Sequence, residues 1–294
     1  MKNTFASKMA VVVAAAVMFL HQDATATAIT YGQASSFSVL AGTLISNGGP
    51  NGGISTSIGQ DVGLSPAVGT AINGLSALQV GGTMYTTAAG GPAGSVANAG
   101  LLTSAKNDFG AAYTAAGGQP VTATLGLQLG GQILLPGVYT FVTGTVLIGG
   151  NTPTLTLDAN GQANPTWIFL ATSDLTTAAG SSVAFINGGT PCDVLWRVPT
   201  KTTLGADSTF VGTIMSGTAI TMDTGVTLHG RAWAEAEVTL LDDTITGLPC
   251  TTLGGTTEGT PEGTTVPDAG STLLLLGSGL ATLLPFGRRF FSPA

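Results

Sequence analysis

Charge is what this chain has least of: only 8% of its 294 residues are Asp, Glu, Lys or Arg, where an ordinary globular domain carries about 25%. Eight basic residues stand against fifteen acidic ones, a net charge of −7, and between 29 and 250 Lys106, Arg197, Lys201 and Arg231 form no run. Nucleic acid is excluded as a partner on that ground. Histidine is nearly absent as well. His21 and His229 are the only two, which excludes a His-based catalytic triad and a multi-histidine metal site. Cysteine is limited to Cys192 and Cys250, one potential bridge in an exported chain. No cofactor is implied.

What the chain has instead is glycine, 44 residues of it, and threonine at short intervals. Between 202 and 247 the sequence repeats about every eighteen residues. Leu204-Gly205-Ala206-Asp207-Ser208-Thr209-Phe210-Val211-Gly212 is followed by Met222-Asp223-Thr224-Gly225-Val226-Thr227-Leu228-His229-Gly230, then by Leu240-Leu241-Asp242-Asp243-Thr244-Ile245-Thr246-Gly247. Such a period marks a solenoid, in which each circuit of short strands stacks on the one before. Ala232, Ala234, Ala236 and Val238 alternate with Arg231, Trp233, Glu235 and Glu237, so the small apolar set is expected inward and the two glutamates in solvent. Glu235 and Glu237 share a face, but no basic clamp accompanies them and they are read as solvated, not catalytic. His229 is read as a corner residue, and Asp242 and Asp243 as turn caps in preference to a calcium site.

Both ends read as addresses outside the fold. Residues 1–28 combine Lys2 and Lys8, an apolar run over 9–20 and small residues at Ala24, Ala26 and Ala28, the layout of a secretory signal. Residues 251–265 are a Thr/Gly/Glu/Pro linker. In 266–294, Val266-Pro267-Asp268-Ala269-Gly270 precedes an apolar stretch over 273–286 and then Arg288-Arg289. This tail resembles the sorting signals read by exosortases, with Ala269 where their motif has Ser. The resemblance implies secretion machinery and a sorting protease as partners, cleavage near Pro267, and a transient anchor. A permanent single-span anchor is the alternative, since the apolar stretch nearly suffices to cross a bilayer.

The domain between them, 29–250, is expected to be mainly β with one helix. Val96, Ala99, Leu102, Ala105, Phe109, Ala112 and Tyr113 recur at three- and four-residue spacing, which predicts a helix over about 95–116 that ends at Gly117-Gly118 and covers an apolar side of the solenoid.

Several blocks of this domain resemble the microbial ice-binding family: Phe37-Ser38-Val39-Leu40-Ala41-Gly42, Asp61-Val62-Gly63-Leu64-Ser65-Pro66, Leu134-Leu135-Pro136-Gly137-Val138-Tyr139, Trp167-Ile168-Phe169, Val194-Leu195-Trp196-Arg197-Val198 and Leu228-His229-Gly230-Arg231-Ala232. The resemblance implies a right-handed, discontinuous β-solenoid of triangular section, a long helix alongside, and a first coil set next to the last. It implies an ice surface as partner. Some members of that family carry Thr-Ala/Gly-x-Thr/Asn on the ice face, matched here by Thr70-Ala71-Ile72-Asn73, Thr218-Ala219-Ile220-Thr221 and Thr224-Gly225-Val226-Thr227. The candidate ice-contacting residues are therefore Ser208, Thr209, Thr218, Thr221, Thr224 and Thr227, with the face of Thr209, Thr224 and Thr227 favoured. The alternative is an adhesive or structural module of the envelope or matrix that binds extracellular polysaccharide. Neither reading is enzymatic.

Overall fold

The computed structural model describes residues 28–248 and 250–254. The leader, most of the linker and the sorting tail with Val266, Pro267, Asp268, Gly270, Arg288 and Arg289 lie outside the described residues. Among the described residues no helix is long and apolar enough to cross a membrane.

Every strand-to-strand pairing of the named strands is parallel, as a solenoid requires, since each coil lays its strands on those of the previous coil in the same direction. The strands form three faces. The helix-side face runs in the order Val96–Ala97, Met84–Thr86, Asp61–Leu64, Phe37–Ala41, the second halves of Thr227–Ala234 and Thr209–Ser216, Val194–Val198, Trp167–Leu170, Gly137–Phe141 and Ala123–Leu125. A second face is a separate seven-stranded sheet, Val146–Ile148, Leu175–Thr177, Thr202–Leu204, Ile220–Met222, Glu237–Leu241, Leu44–Gly48 and Ile72–Asn73. The third face comprises Ile133–Leu134, Thr154–Asp158, Ser182–Ile186, the first halves of the two eight-residue strands, Thr244–Ile245 and Ser57–Ile58.

The order of coils is discontinuous. Phe37–Ala41 pairs on one side with Asp61–Leu64 and on the other with Thr227–Ala234, so the chain starts in mid-stack, builds to one end, crosses to the other and climbs back. The helix Ala99–Gly117 lies between these two passages in sequence. It starts later than its periodicity suggested, because Val96–Ala97 pairs with Tyr85 and Thr86 and the Asn98 side chain accepts from the Leu101 N–H as N-cap. Its Leu102, Ala105, Phe109, Ala112 and Ala116 are buried against Phe37, Leu40, Ile168, Leu195, Met215 and Trp233. That contact changes the meaning of the outward positions beneath it. Trp233 and Arg231 alternate away from the solenoid interior as expected, yet both are fully buried, because the helix and the segments around 29–34 and 250–253 cover this face.

Inside the solenoid, one layer of the helix-side face is an aromatic stack. Tyr139, Phe169 and Trp196 occupy successive register positions, and Phe169 and Trp196 lie parallel with centroids 3.9 Å apart. Further along the same layer the residues shrink to Ile214 and Ala232. The long strands turn from the third face to the helix-side face at Gly212 and Gly230, which pair with each other. A Cβ on Gly230 would sit 1.9 Å from the Gly212 carbonyl oxygen, and Gly212 has φ +103°, so both positions need glycine.

Folded structure continues past the expected end of the domain at 250. Tyr31 donates to the Thr251 carbonyl, Leu253 to Ile29, and Gly254 to Cys192, so a strap through 250–254 is tied to the start of the domain. Cys192 and Cys250 are bonded to each other, with Cα atoms 5.9 Å apart.

Candidate functional site

Because strand side chains alternate, each face shows solvent one residue in two, and parallel in-register stacking lines those residues into ranks. On the seven-stranded sheet the outward rank is Thr176, Thr203, Thr221, Thr239, Ser46 and Asn73, in that order along the stack, with Leu147 below. The inward neighbours, such as Leu175, Leu204, Ile220 and Val238, are buried in the interior. A second row adds to the first. Ser173, Thr200, Thr218, Thr43 and Thr70 stand three residues before Thr176, Thr203, Thr221, Ser46 and Asn73, in the turn that leads into each strand. Thr β-branching restricts χ1, so these rows are stiff. Asp174 and Lys201 lie on the turn border. There the Thr200 hydroxyl and the Lys201 N–H hold the Asp174 carboxyl below the usual carboxylate range.

The third face carries its own rank: Thr154, Ser182, Thr209, Thr227, Thr244 and Ser57 are paired in sequence across six strands. Within it Thr154 and Ser182 hydrogen-bond each other at 2.8 Å. The next positions along these strands are mixed, with Thr156 beside Ala184 and a buried Val211 beside His229. His229 lies within the long strand immediately before its bend at Gly230, at the corner its sequence position suggested.

The six sequence-derived candidates do not share one face. Thr209 and Thr227 are register partners on the third face, Thr221 belongs to the seven-stranded sheet, Thr218 lies in the turn before it, and Thr224 is in the turn between the two faces. Ser208 is buried, its hydroxyl 3.5 Å from Thr177 Oγ1 in the interior, so it has no access to an external surface. Two of the three Thr-Ala/Gly-x-Thr/Asn matches, ending at Asn73 and Thr221, converge on one rank. The candidate set missed Thr176, Thr203, Thr239 and Ser46, although the eighteen-residue period carried from Thr221 lands on Thr203 and Thr239. The Thr-x-x-Thr or Ser-x-x-Thr spacing at Thr200–Thr203 and Ser173–Thr176 is the signal that finds two of them.

Acidic residues at the coil corners are engaged in turns. Asp242 accepts from the Asn51 and Ser55 N–H groups, and buried Asp243 from Val226 and Leu241. Burial pushes the Asp243 carboxyl up to about 6, against the pull of those two N–H groups. Glu235 is exposed, as expected, and pairs there with Lys106 of the helix at 2.9 Å. Among the described residues no His, Cys, Asp and Glu cluster could hold a metal ion.

A discontinuous parallel β-solenoid with a helix along one face and threonine ranks on its others is the class of protein these features define. The ice-binding-like family model matches residues 39–246, and the chain belongs to that family. An ice-binding protein of Nostoc sp. (strain HG1) is 34% identical over 261 residues, covering 88% of this chain and 87% of that one. One from Flavobacterium frigoris (strain PS1) is 33% identical over 221 residues, 74% of this chain and 76% of its own. Among solved structures, an ice-binding protein from an Antarctic biological consortium superposes with a TM-score of 0.63 at 30% identity over 74% of this chain and 90% of that one. An antifreeze-active ice-binding protein from Arctic yeast gives 0.63 at 27%, over 74% and 92%.

Proposed function

We propose that this chain is a non-catalytic, exported protein that adsorbs to ice through the seven-stranded face. The observation that carries the choice of face is the double row: a strand rank of Thr176, Thr203, Thr221, Thr239, Ser46 and Asn73, and a turn row of Ser173, Thr200, Thr218, Thr43 and Thr70 that is interrupted by Ala236 before Thr239. Strands stack about 4.8 Å apart, so seven of them give a surface about 29 Å long with a repeat comparable to that of the ice lattice. Each Thr offers a methyl and a hydroxyl from a rotamer already restricted, so ordering water against the face costs little side-chain entropy. Relatives that are ice-binding proteins support the ligand. The leader at 1–28 and the sorting tail at 266–294 support export, with a sorting protease acting near Pro267.

The third face is the second reading, favoured by its unbroken line of six hydroxyl residues through Thr209 and Thr227. Ice-affinity partition of the folded protein tests the ligand, and single tyrosine substitutions on each face test the surface.

A further inference from the structure

Charge thins out toward both ends of the stack, where Asp61 on one side and Asp158 on the other are the last described charged residues before the end coils. From 109 to 157 there is no charged residue, and from 62 to 105 there is none either. Exposed large apolar side chains follow the inverse pattern. Ile54, Val68, Leu78 and Val96 belong to the coils and loops at one end of the stack, and Val121, Ile133, Leu135, Val142 and Leu147 to the two coils at the other, leaving Ile186 as the single exception.

The two ends differ in their backbone. At the Val96 end, 3-10 turns Gly69–Ala71 and Ala77–Gln79 and the loops around them interrupt the coils. At the opposite end, the coil of residues 121–135 has a segment on each of the three faces: among the described residues Ala123–Leu125 pairs only with Gly137–Phe141, Gln128 makes an isolated bridge to Leu147, and Ile133–Leu134 pairs only with Thr154–Asp158. Its three segments each present one unpaired edge in the same direction. Such edges are ordinarily guarded by lysine, proline or a covering element. Here the exposed side chains include the apolar Val121, Ile133 and Leu135 among the uncharged Thr122, Thr124 and Gln128, and Leu125 and Leu127 are only partly covered.

We propose that this end coil is a self-association surface whose occupant is the same end of a second copy of this chain. Three strand edges set at the corners of a solenoid section are matched all at once only by another solenoid end, which rules against a single added strand or a flat partner. Charge points the same way: a chain of net charge −7 approaches its own copy without acid-acid repulsion only where it carries no charge. Meeting through identical ends makes a closed two-fold contact, in which the association stops at two; joining unlike ends would instead give an open filament. The inference does not depend on what the threonine faces bind.

Sedimentation of the full chain over a hundredfold concentration range, alongside Ile133→Lys, Leu135→Lys and Leu78→Lys, tests it. The expected result is a concentration-dependent dimer, weakened at least tenfold by Ile133→Lys and by Leu135→Lys but unchanged by Leu78→Lys, with thermal unfolding of all three variants close to the parent. A parent that is monomeric throughout overturns the proposal, as does association that survives both end-coil variants, which would trace it to another segment. Filaments sensitive to Leu78→Lys would show head-to-tail stacking, and co-sedimentation with neutral phosphatidylcholine vesicles abolished by Ile133→Lys would show a lipid occupant; either overturns it too.

Discussion

The Ser46 hydroxyl donates a hydrogen bond of 3.2 Å to Oγ1 of Thr239, across 193 residues of sequence. It sits where the first coil meets the last, and it shows that the seam of the discontinuous stack leaves the outward rank of the seven-stranded face unbroken. Replacing Thr221, in the middle of that rank, with Tyr is expected to reduce ice shaping and thermal hysteresis together. Being a surface change, it should alter stability by less than about 1 kcal/mol. The matched Thr227→Tyr variant on the third face should retain most activity. If Thr227→Tyr abolishes hysteresis while Thr221→Tyr does not, the ice face is the third one.

Cys192 and Cys250 close a loop with a sequence separation of 58, which contributes about 4 kcal/mol in the chain-entropy model. Cys192→Ala together with Cys250→Ala is expected to lower the unfolding free energy by about 2–4 kcal/mol, read by urea denaturation. Thiol titration of the folded, unreduced parent should find no free sulfhydryl. Two would remove the bridge from the account.

Asp243 gives a pH dependence whose sign is opposite to that of most carboxylates. Burial raises its carboxyl from 3.8 to about 6, so folding favours the protonated form. The stabilisation from that preference is fully present below the unfolded value and is lost as pH rises through about 6. Moving from pH 7.5 to pH 5 should raise the melting temperature of the parent relative to Asp243→Asn. An Asp243→Asn profile parallel to the parent's across this window would show that the group does not titrate there.

Arg231 is fully buried, and its Nη2 donates to the carbonyls of Leu248 and Cys250. Its guanidinium also lies 5.4 Å from the centre of the Tyr31 ring and 5.6 Å from that of Trp233, joining the strap to the helix-side face. Burial lowers its pKa to about 10, still far above neutral pH, so it is a cation in the folded protein. Arg231→Ala leaves a cavity and orphans the buried Cys250 carbonyl and the part-buried Leu248 carbonyl, at a cost of about 3 kcal/mol or more. Limited proteolysis should then reach the strap at 250–254 before the solenoid. A loss under about 1 kcal/mol would assign the strap's attachment to the disulfide alone.

Local chemistry made much of this protein legible in its sequence. The eighteen-residue recurrence of Gly212 and Gly230 reflects a bend where a Cβ has no room, so the period of the coil is written as glycine. The helix was legible from Leu102, Ala105, Phe109 and Ala112, because its buried stripe follows from its own geometry. What sequence could not fix was which outward residues become neighbours. Thr209 with Thr227, and Thr221 with Thr239, fall in register within one continuous repeat, whereas the alignment of Thr239 with Ser46 and Asn73 depends on the first coil being set against the last, a pairing between segments nearly two hundred residues apart. For the same reason Arg231 and Trp233, which alternate like solvent-facing residues, lie buried: their cover comes from the helix, the segment around Tyr31 and the strap at 250–254, and only the tertiary arrangement brings those elements over them.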